Sequence, residues 1–304
     1  MVRLLPGLIL LLAAEASAAW NGTCHKKSQR KAWHRIRPPI AGIEGAQNLW
    51  DELQFAHITQ SNIIHNVGAF LPWHQYYMRV HEYLLQTECG YKSGQPYWDR
   101  VRDVDNFAGS VIFDPVTGFG GEGSECVLDG PFTNLRMHIN GTSTSANYCL
   151  SRAFNATAFT TAKQENIDEA SNSRSMRTAI LATRRCHIRQ VILALVVQCD
   201  PTASPGEPLF YLHHTNLDRL WWEWQQANLT FRLTDMGGQN MPSEECLREN
   251  GFPDPTPGVI EYFGDDGGNV TTPNHNLWMV RVAPNVIVRE VMGIGGPLNC
   301  AEYV

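Results

Sequence analysis

The spacing of its histidines constrains this chain more than any other feature. His57, His65 and His74 stand in the first third, and a His213-His214-x-x-x-Asp218 run stands in the last third. Imidazole suits copper, zinc and iron, and it binds through one ring nitrogen while a neighbouring group orients the other. Together the two groups point to a two-metal site. Eleven histidines in 304 residues also fall near one another by chance, and His25, His34, His81, His138 and His275 are read that way. Spacing alone does not separate the two readings.

The segments that carry these histidines read as helices. Apolar residues at Leu49, Leu53, Ala56 and Ile63 predict a helix over 48–64 that holds His57. His57 and His65 stand eight residues apart, a little over two turns, so one straight helix would not put them on a shared face. His65 is therefore expected just beyond the helix, turned back toward the same metal. Pro72 suits the first turn of a second helix, from 73 to about 87. A third, over 215–228, buries Leu217, Leu220, Trp221 and Trp224 on one stripe and sets Asp218 one turn beyond His214. From 90 to 155 the chain is rich in Gly, Pro, Asp and Ser without sustained periodicity, which predicts a long excursion with short elements. Residues 285–291 predict a short strand. The expected fold is mainly α, an antiparallel helical bundle around the metal site with long loops and a few short strands.

Met1-Val-Arg3, a Leu-rich run to Ala14 and then Ala16-Ser17-Ala18 predict a secretory signal peptide over 1–18. The apolar stretch is too short to span a bilayer. Residues 19–304 are expected to form one domain, since a chain that is 43% apolar with no linker-like stretch can bury a sizeable core. Cys24, Cys89, Cys126, Cys149, Cys186, Cys199, Cys246 and Cys300 lack the paired spacing of a zinc module and are read as disulfide partners in an extracellular protein. Sequons at Asn21, Asn140, Asn155, Asn228 and Asn269 agree with glycosylation. A net charge of -6 without basic runs argues against nucleic acid or an anionic membrane as partner, which leaves small molecules. The lack of an H-E-x-x-H helix argues against a zinc hydrolase.

The neighbours of the histidines decide between metal and chance. His65-Asn-Val-Gly-Ala-Phe70-Leu71-Pro72-Trp73-His74-Gln75 resembles the copper A motif of tyrosinases and catechol oxidases. Pro208-Leu-Phe210-Tyr-Leu-His213-His214-Thr-Asn-Leu-Asp218-Arg-Leu-Trp221 resembles the end of their copper B motif. Pro96-Tyr97-Trp98-Asp99, Gly118-Phe-Gly-Gly121 and the tail fit short fungal-type members, so the resemblance covers nearly the whole chain. It implies a secreted oxidoreductase with two copper ions, each held by three imidazoles, that oxidises mono- or diphenols to ortho-quinones with O2. It also implies that His57, His65 and His74 hold copper A and that His214 is the third ligand of copper B. His213 and Asp218 are then supporting residues, with Asp218 orienting a ligand. Phe70, Trp73, Phe210 and Tyr211 are expected to pack the core around the site. Some members crosslink a cysteine to the second copper A ligand, but Ile63 stands at that position here. Gln75 replaces the family's usual Arg, and Arg100 its usual Trp. The chain ends soon after the core, so no C-terminal lid domain is expected.

The family's remaining copper B ligands form a His-x-x-x-His pair followed by Gly-Gly. This chain has Arg184-Arg185-Cys186-His187-Ile-Arg-Gln-Val191-Ile-Leu-Ala-Leu-Val-Val197 instead. His187 stands near the first position and is the candidate ligand there, and a histidine opening an apolar helix is the alternative. Val191, at the second position, has no lone pair for a metal. Read from the third base of each codon, the degenerate codons behind Cys186 to Cys199 permit Pro-His-x-x-x-His-Phe-x-Ile-Gly-Gly-x-Met, which restores the motif. A locally shifted reading frame is one expectation. The other is a non-catalytic copper-binding or vestigial glycoprotein of the same fold. An oxygen carrier like a haemocyanin domain fits a short, signal-bearing chain poorly.

Overall fold

The computed structural model describes residues 2–4, 38–141, 143–160, 162–172, 201–255 and 257–303. His187, Val191 and the rest of the 184–199 segment lie outside the described residues, as do Cys24, Cys186 and Cys199 and nearly all of the expected signal peptide.

Three helical segments build the heart of the molecule: α1 (Leu49–Ile58) with the single turn α2 (Ser61–Ile64), α3 (Phe70–Cys89), and α6 (Pro208–Gln226). Between α3 and α6 the chain runs through 3-10 turns, a two-residue hairpin of β2 (Arg136–Met137) and β3 (Tyr148–Cys149), and short helices α4 (Ala156–Phe159) and α5 (Gln164–Ser171). After α6 come α7 (Leu229–Arg232), α8 (Glu244–Asn250), α9 (Pro257–Tyr262), the β4–β5 pair (Asn276–Leu277, Val286–Ile287) and α10 (Val288–Val291). A final strand β6 (Ala301–Tyr303) pairs with β1 (Val2–Leu4). Among the described residues helix dominates and each sheet has two strands, in keeping with the expected fold class.

Local signals explain where the main helices begin and end. Asn48 caps α1 by accepting from the Asp51 amide at 2.9 Å, while the Asp51 carboxylate accepts from the Asn48 amide at 3.2 Å. Pro72 sits in the first turn of α3, and Gly90 ends the helix with a left-handed φ of 69°. Glu207 caps α6 with Pro208 at its start, so the helix begins seven residues before the expected 215. The predicted 285–291 strand is also shorter, because β5 passes into α10 at Val288.

Aromatic packing joins the helices that carry the histidines. Phe70, Trp73 and Tyr77 of α3 and Leu209, Phe210 and Tyr211 of α6 are each at most 3% exposed. Tyr77 stacks on Tyr211 at 5.9 Å, and its hydroxyl donates to Leu53 O at 2.6 Å, tying α3 to α1. Burying such side chains contributes about 1.5–3 kcal/mol each. Phe70, Trp73, Phe210 and Tyr211 are thus core residues, as expected.

Two polar devices fasten the long excursion to this core. Arg152 is fully buried and clasps Glu207 through Nε and Nη2 at 2.7 and 2.8 Å. Its Nη1 also donates to the carbonyls of Phe119 and Gly120. A disulfide joins Cys126 to Cys149. Cys246 and Cys300 carry free thiols, so the disulfide reading holds for Cys126 and Cys149 and not for these two.

Candidate metal centre

Three imidazoles converge on one point. His57 comes from the last turn of α1, and His65 follows α2 in extended backbone with φ -105° and ψ 147°. His74 lies in the second turn of α3. The break at 59–60 turns the chain so that His65 faces back, as the eight-residue spacing requires. Ligand-capable atoms from the three rings all lie within 4.8 Å of one another.

Each ring has one nitrogen committed to a carbonyl. His57 Nδ1 lies 2.8 Å from Thr202 O, His65 Nδ1 2.9 Å from Ser61 O and His74 Nδ1 2.8 Å from Phe70 O. Those acceptors fix the tautomer with hydrogen on Nδ1 and leave the Nε2 lone pair for a metal. The Nε2 atoms of His57 and His74 are buried and have no hydrogen-bond partner. A buried nitrogen without a partner costs about 1–3 kcal/mol, and a metal ion in the space between the rings would remove that cost. The donor set therefore fits a copper ion.

Electrostatics favours the same state. Burial, followed by repulsion from neighbouring imidazoles, holds His57 and His74 well below the usual histidine range. Both rings are thus neutral and able to donate to a metal near neutral pH. His65 is half-buried, and the ring of Phe252, just past α8, lies 6.1 Å from it.

His214 joins this cluster across the α3–α6 interface. Its ring lies 4.2 Å from that of His74 with planes 11° from parallel, and 4.2 Å from Phe210. Neither ring nitrogen has a hydrogen-bond partner. Burial lowers its pKa well below the usual range, reinforced by His213, His57, His65 and buried Arg100. Arg100 is 2% exposed and its own pKa falls to about 9, chiefly by burial. His213 is fully buried, its ring 4.9 Å from that of His214.

Asp218 does not take the expected contact. Residues 214 and 218 share a helix face, yet no hydrogen bond joins them; Asp218 Oδ2 instead accepts from the Tyr303 hydroxyl on β6. Nor does it pair with Arg219, which holds Glu223, or with Arg232, which lies over Trp224. Arginine at position 75 would have signalled a partner on α3, but glutamine stands there.

Sequence reasoning passed over several residues that shape this region. His138 Nδ1 meets buried Asp51 at 2.9 Å, which fastens the start of α1. His81 bonds Gln95 through Nδ1 at 3.1 Å and stacks on Tyr211 at 3.8 Å. His275 pairs with Asp265 at 2.6 Å. None of the three joins the metal cluster. Thr202, whose carbonyl holds His57, gave no sequence signal, because a backbone oxygen is the same in every residue.

Comparison with known proteins agrees with this geometry. Residues 47–227 match the family model described as the common central domain of tyrosinase. The tyrosinase-like protein phomQ1 of Diaporthe leptostromiformis is 30% identical over 92% of this chain and 78% of its own length. Tyrosinase ustQ of Aspergillus flavus is 29% identical over 88% of this chain and 85% of its own length. A polyphenol oxidase from Thermothelomyces thermophila shares the fold, with a TM-score of 0.74 over 92% of this chain and 86% of that chain at 21% identity. With its family domain matched across the histidine cluster, this chain belongs to the tyrosinase family.

Proposed function

We propose that this protein is a secreted type 3 copper protein whose copper A site is complete, with His57, His65 and His74 as ligands through Nε2. The observation that carries this reading is the convergence of the three rings, each with its Nδ1 already bonded to a carbonyl. His214 serves as the third ligand of copper B, with His213 packed behind it. Two coppers, when bound, would supply the activation of O2 needed to oxidise a mono- or diphenol to an ortho-quinone. The chain itself keeps His57 and His74 neutral and buried and fixes the tautomers of all three rings. Substrate approaches beside half-buried His65, where Phe252 offers an apolar face.

Whether the protein turns over depends on the copper B half. Val191 favours the second reading, a copper-binding glycoprotein without catalysis, for the chain as written. The shifted frame through 186–199 permits both missing histidines, and a chain that carried them would regain the oxidase site. Exposed Asn155, Asn228 and Asn269 leave their sequons accessible for glycosylation, which agrees with a secreted protein. No helix of the described residues is long and apolar enough to cross a membrane.

Copper content tests the reading directly. The chain as written is expected to retain one copper after dialysis and to leave catechol unoxidised. The version with the shifted-frame residues is expected to retain two and to produce quinone. A chain that retains no copper sinks the copper A assignment. Transcript sequencing across 186–199 decides which version exists, and a message encoding Val191 in frame leaves the non-catalytic protein.

A further inference from the structure

Between α3, α6 and the C-terminal segment lies a second, polar cavity of about 30 Å3. About 10–15 Å3 of such room holds one water, so it takes two or three atoms of that size. Its walls carry five buried polar atoms without a hydrogen-bond partner: both amide atoms of Gln75, Gln95 Nε2, Asn299 Oδ1 and Asp218 Oδ1. Gln75, Gln95 and Asn299 are 4%, 2% and 3% exposed. Nearly all buried polar groups in native proteins are bonded. Five orphaned atoms on one cavity mark a place for an occupant.

The charges around the cavity say what kind. From α3, Glu82 and Arg79 face it as a pair at 3.1 Å, and Glu82 also accepts the Gln95 amide at 2.8 Å. From α6 comes Asp218; neighbouring Arg219 is held by Glu223 and Asn216. From β6 comes Tyr303, whose hydroxyl bonds Asp218 Oδ2 and lies 3.2 Å from Thr215 O. Gln75 approaches Asp218 closely enough to hold its carboxyl down somewhat, yet leaves the facing oxygen without a well-formed hydrogen bond. The cavity thus meets two carboxylates with one paired arginine. Burial raises the Asp218 carboxyl to about 7, outweighing the lowering effect of Tyr303 and Gln75.

We propose that this cavity binds a small hydrogen-bonding cation of the ammonium class on the oxygens of Asp218, Asn299 and Gln75. Bound there, the cation staples the C-terminal segment to the two helices that carry His74 and His214. The spare amide N–H groups of Gln75 and Gln95 bond water that shares the cavity. The site exists because position 75 is glutamine; arginine there would extend its own guanidinium into the same space. Nothing in this proposal depends on copper.

Thermal unfolding of the full chain, without added metal, tests it at low millimolar salt and matched ionic strength. Ammonium chloride is expected to raise the midpoint saturably by a few degrees over tetramethylammonium chloride, a cation with no N–H to donate, and over guanidinium chloride, whose four heavy atoms exceed the cavity. Asp218→Asn should abolish that difference. Gln75→Arg should raise the midpoint without any salt and remove the response. Equal midpoints in all three salts mean that the cavity holds water alone, and a response that survives in Asp218→Asn places binding elsewhere; either overturns the proposal. Should Gln75→Arg fail to fold, the Asp218→Asn comparison decides alone.

Discussion

The imidazole of His74 lies face to face with that of His214, 4.2 Å between centroids and 11° between planes. This one contact joins the two histidine groups that stand 140 residues apart in sequence. It also separates their roles, because the three rings that converge within 4.8 Å include His74 but not His214.

Removing either histidine should therefore have unequal effects. Loss of a group that merely orients a ligand typically costs 10–100-fold in metal affinity, and loss of a ligand costs more. His74→Ala is expected to weaken the tightest copper by more than about 100-fold. His214→Ala should leave that copper within about 10-fold of the parent. Dialysis against a competing chelator measures both, and equal losses would mean that the copper A set is wrongly drawn.

A different titration reports on Asp218. Its folded pKa of about 7 stands above the 3.8 of the unfolded chain, so the folded state holds the proton more tightly. The stabilisation is complete below pH 3.8 and is lost as pH rises to about 7, beyond which it is constant. Asp218→Asn lacks this dependence. Between pH 4 and 7 the parent should lose about 2–4 kcal/mol relative to the variant, the lower figure reflecting water in the adjoining cavity. Urea midpoints of both proteins across that range read the difference directly. The buried histidines titrate in both and cancel. A difference that does not change with pH would show that Asp218 is ionised and solvated.

Much of this was legible in the sequence, for reasons that particular residues make plain. The periodicity around Leu49, Leu53 and Ala56, with Asn48 as cap, marked the first helix, and eight residues from His57 to His65 required a turn between them. The third helix was placed too late because its start is set by Glu207 and Pro208, while the apolar stripe becomes continuous only from Leu217. What escaped was contact made by backbone or by distant partners. Thr202 O, Tyr303 and the Arg152–Glu207 clasp join residues 55 to 145 positions apart, and no local pattern announces such pairs.

The loop after His65 offers a steric test. Gly68 approaches segment 237–239 so closely that its amide donates to Gln239 O at 2.8 Å, and a Cβ there would meet Gly237 O at 2.2 Å. Backbone cannot yield as a flexible side chain can, so Gly68→Ala must shift the loop. Overpacking of this kind costs about 1–3 kcal/mol. Because His65 lies three residues upstream, the same substitution should weaken copper binding although it removes no ligand. A normal unfolding midpoint together with normal copper affinity would show that the loop is freer than its contacts indicate.

The clasp between Arg152 and Glu207 makes the last prediction. Arg152 is fully buried, and Glu207 both receives its two N–H groups and caps α6 by accepting from the Leu209 amide at 3.0 Å. Removing one partner of a buried pair strands the other charge, which costs about 3–5 kcal/mol. Arg152→Met strands Glu207 and also frees the carbonyls of Phe119 and Gly120, so it should be the more damaging single change. Glu207→Gln keeps an acceptor for the cap, and the guanidinium keeps the Phe119 and Gly120 carbonyls, so the cost should sit at the low end of that range, about 3 kcal/mol. The double variant should recover part of the loss, since neither charge then remains unpaired. A cycle of the four proteins, read by urea unfolding, gives the coupling energy, expected at about 2 kcal/mol or more. Strict additivity would mean that water already solvates the pair and that α6 is held by its apolar face alone.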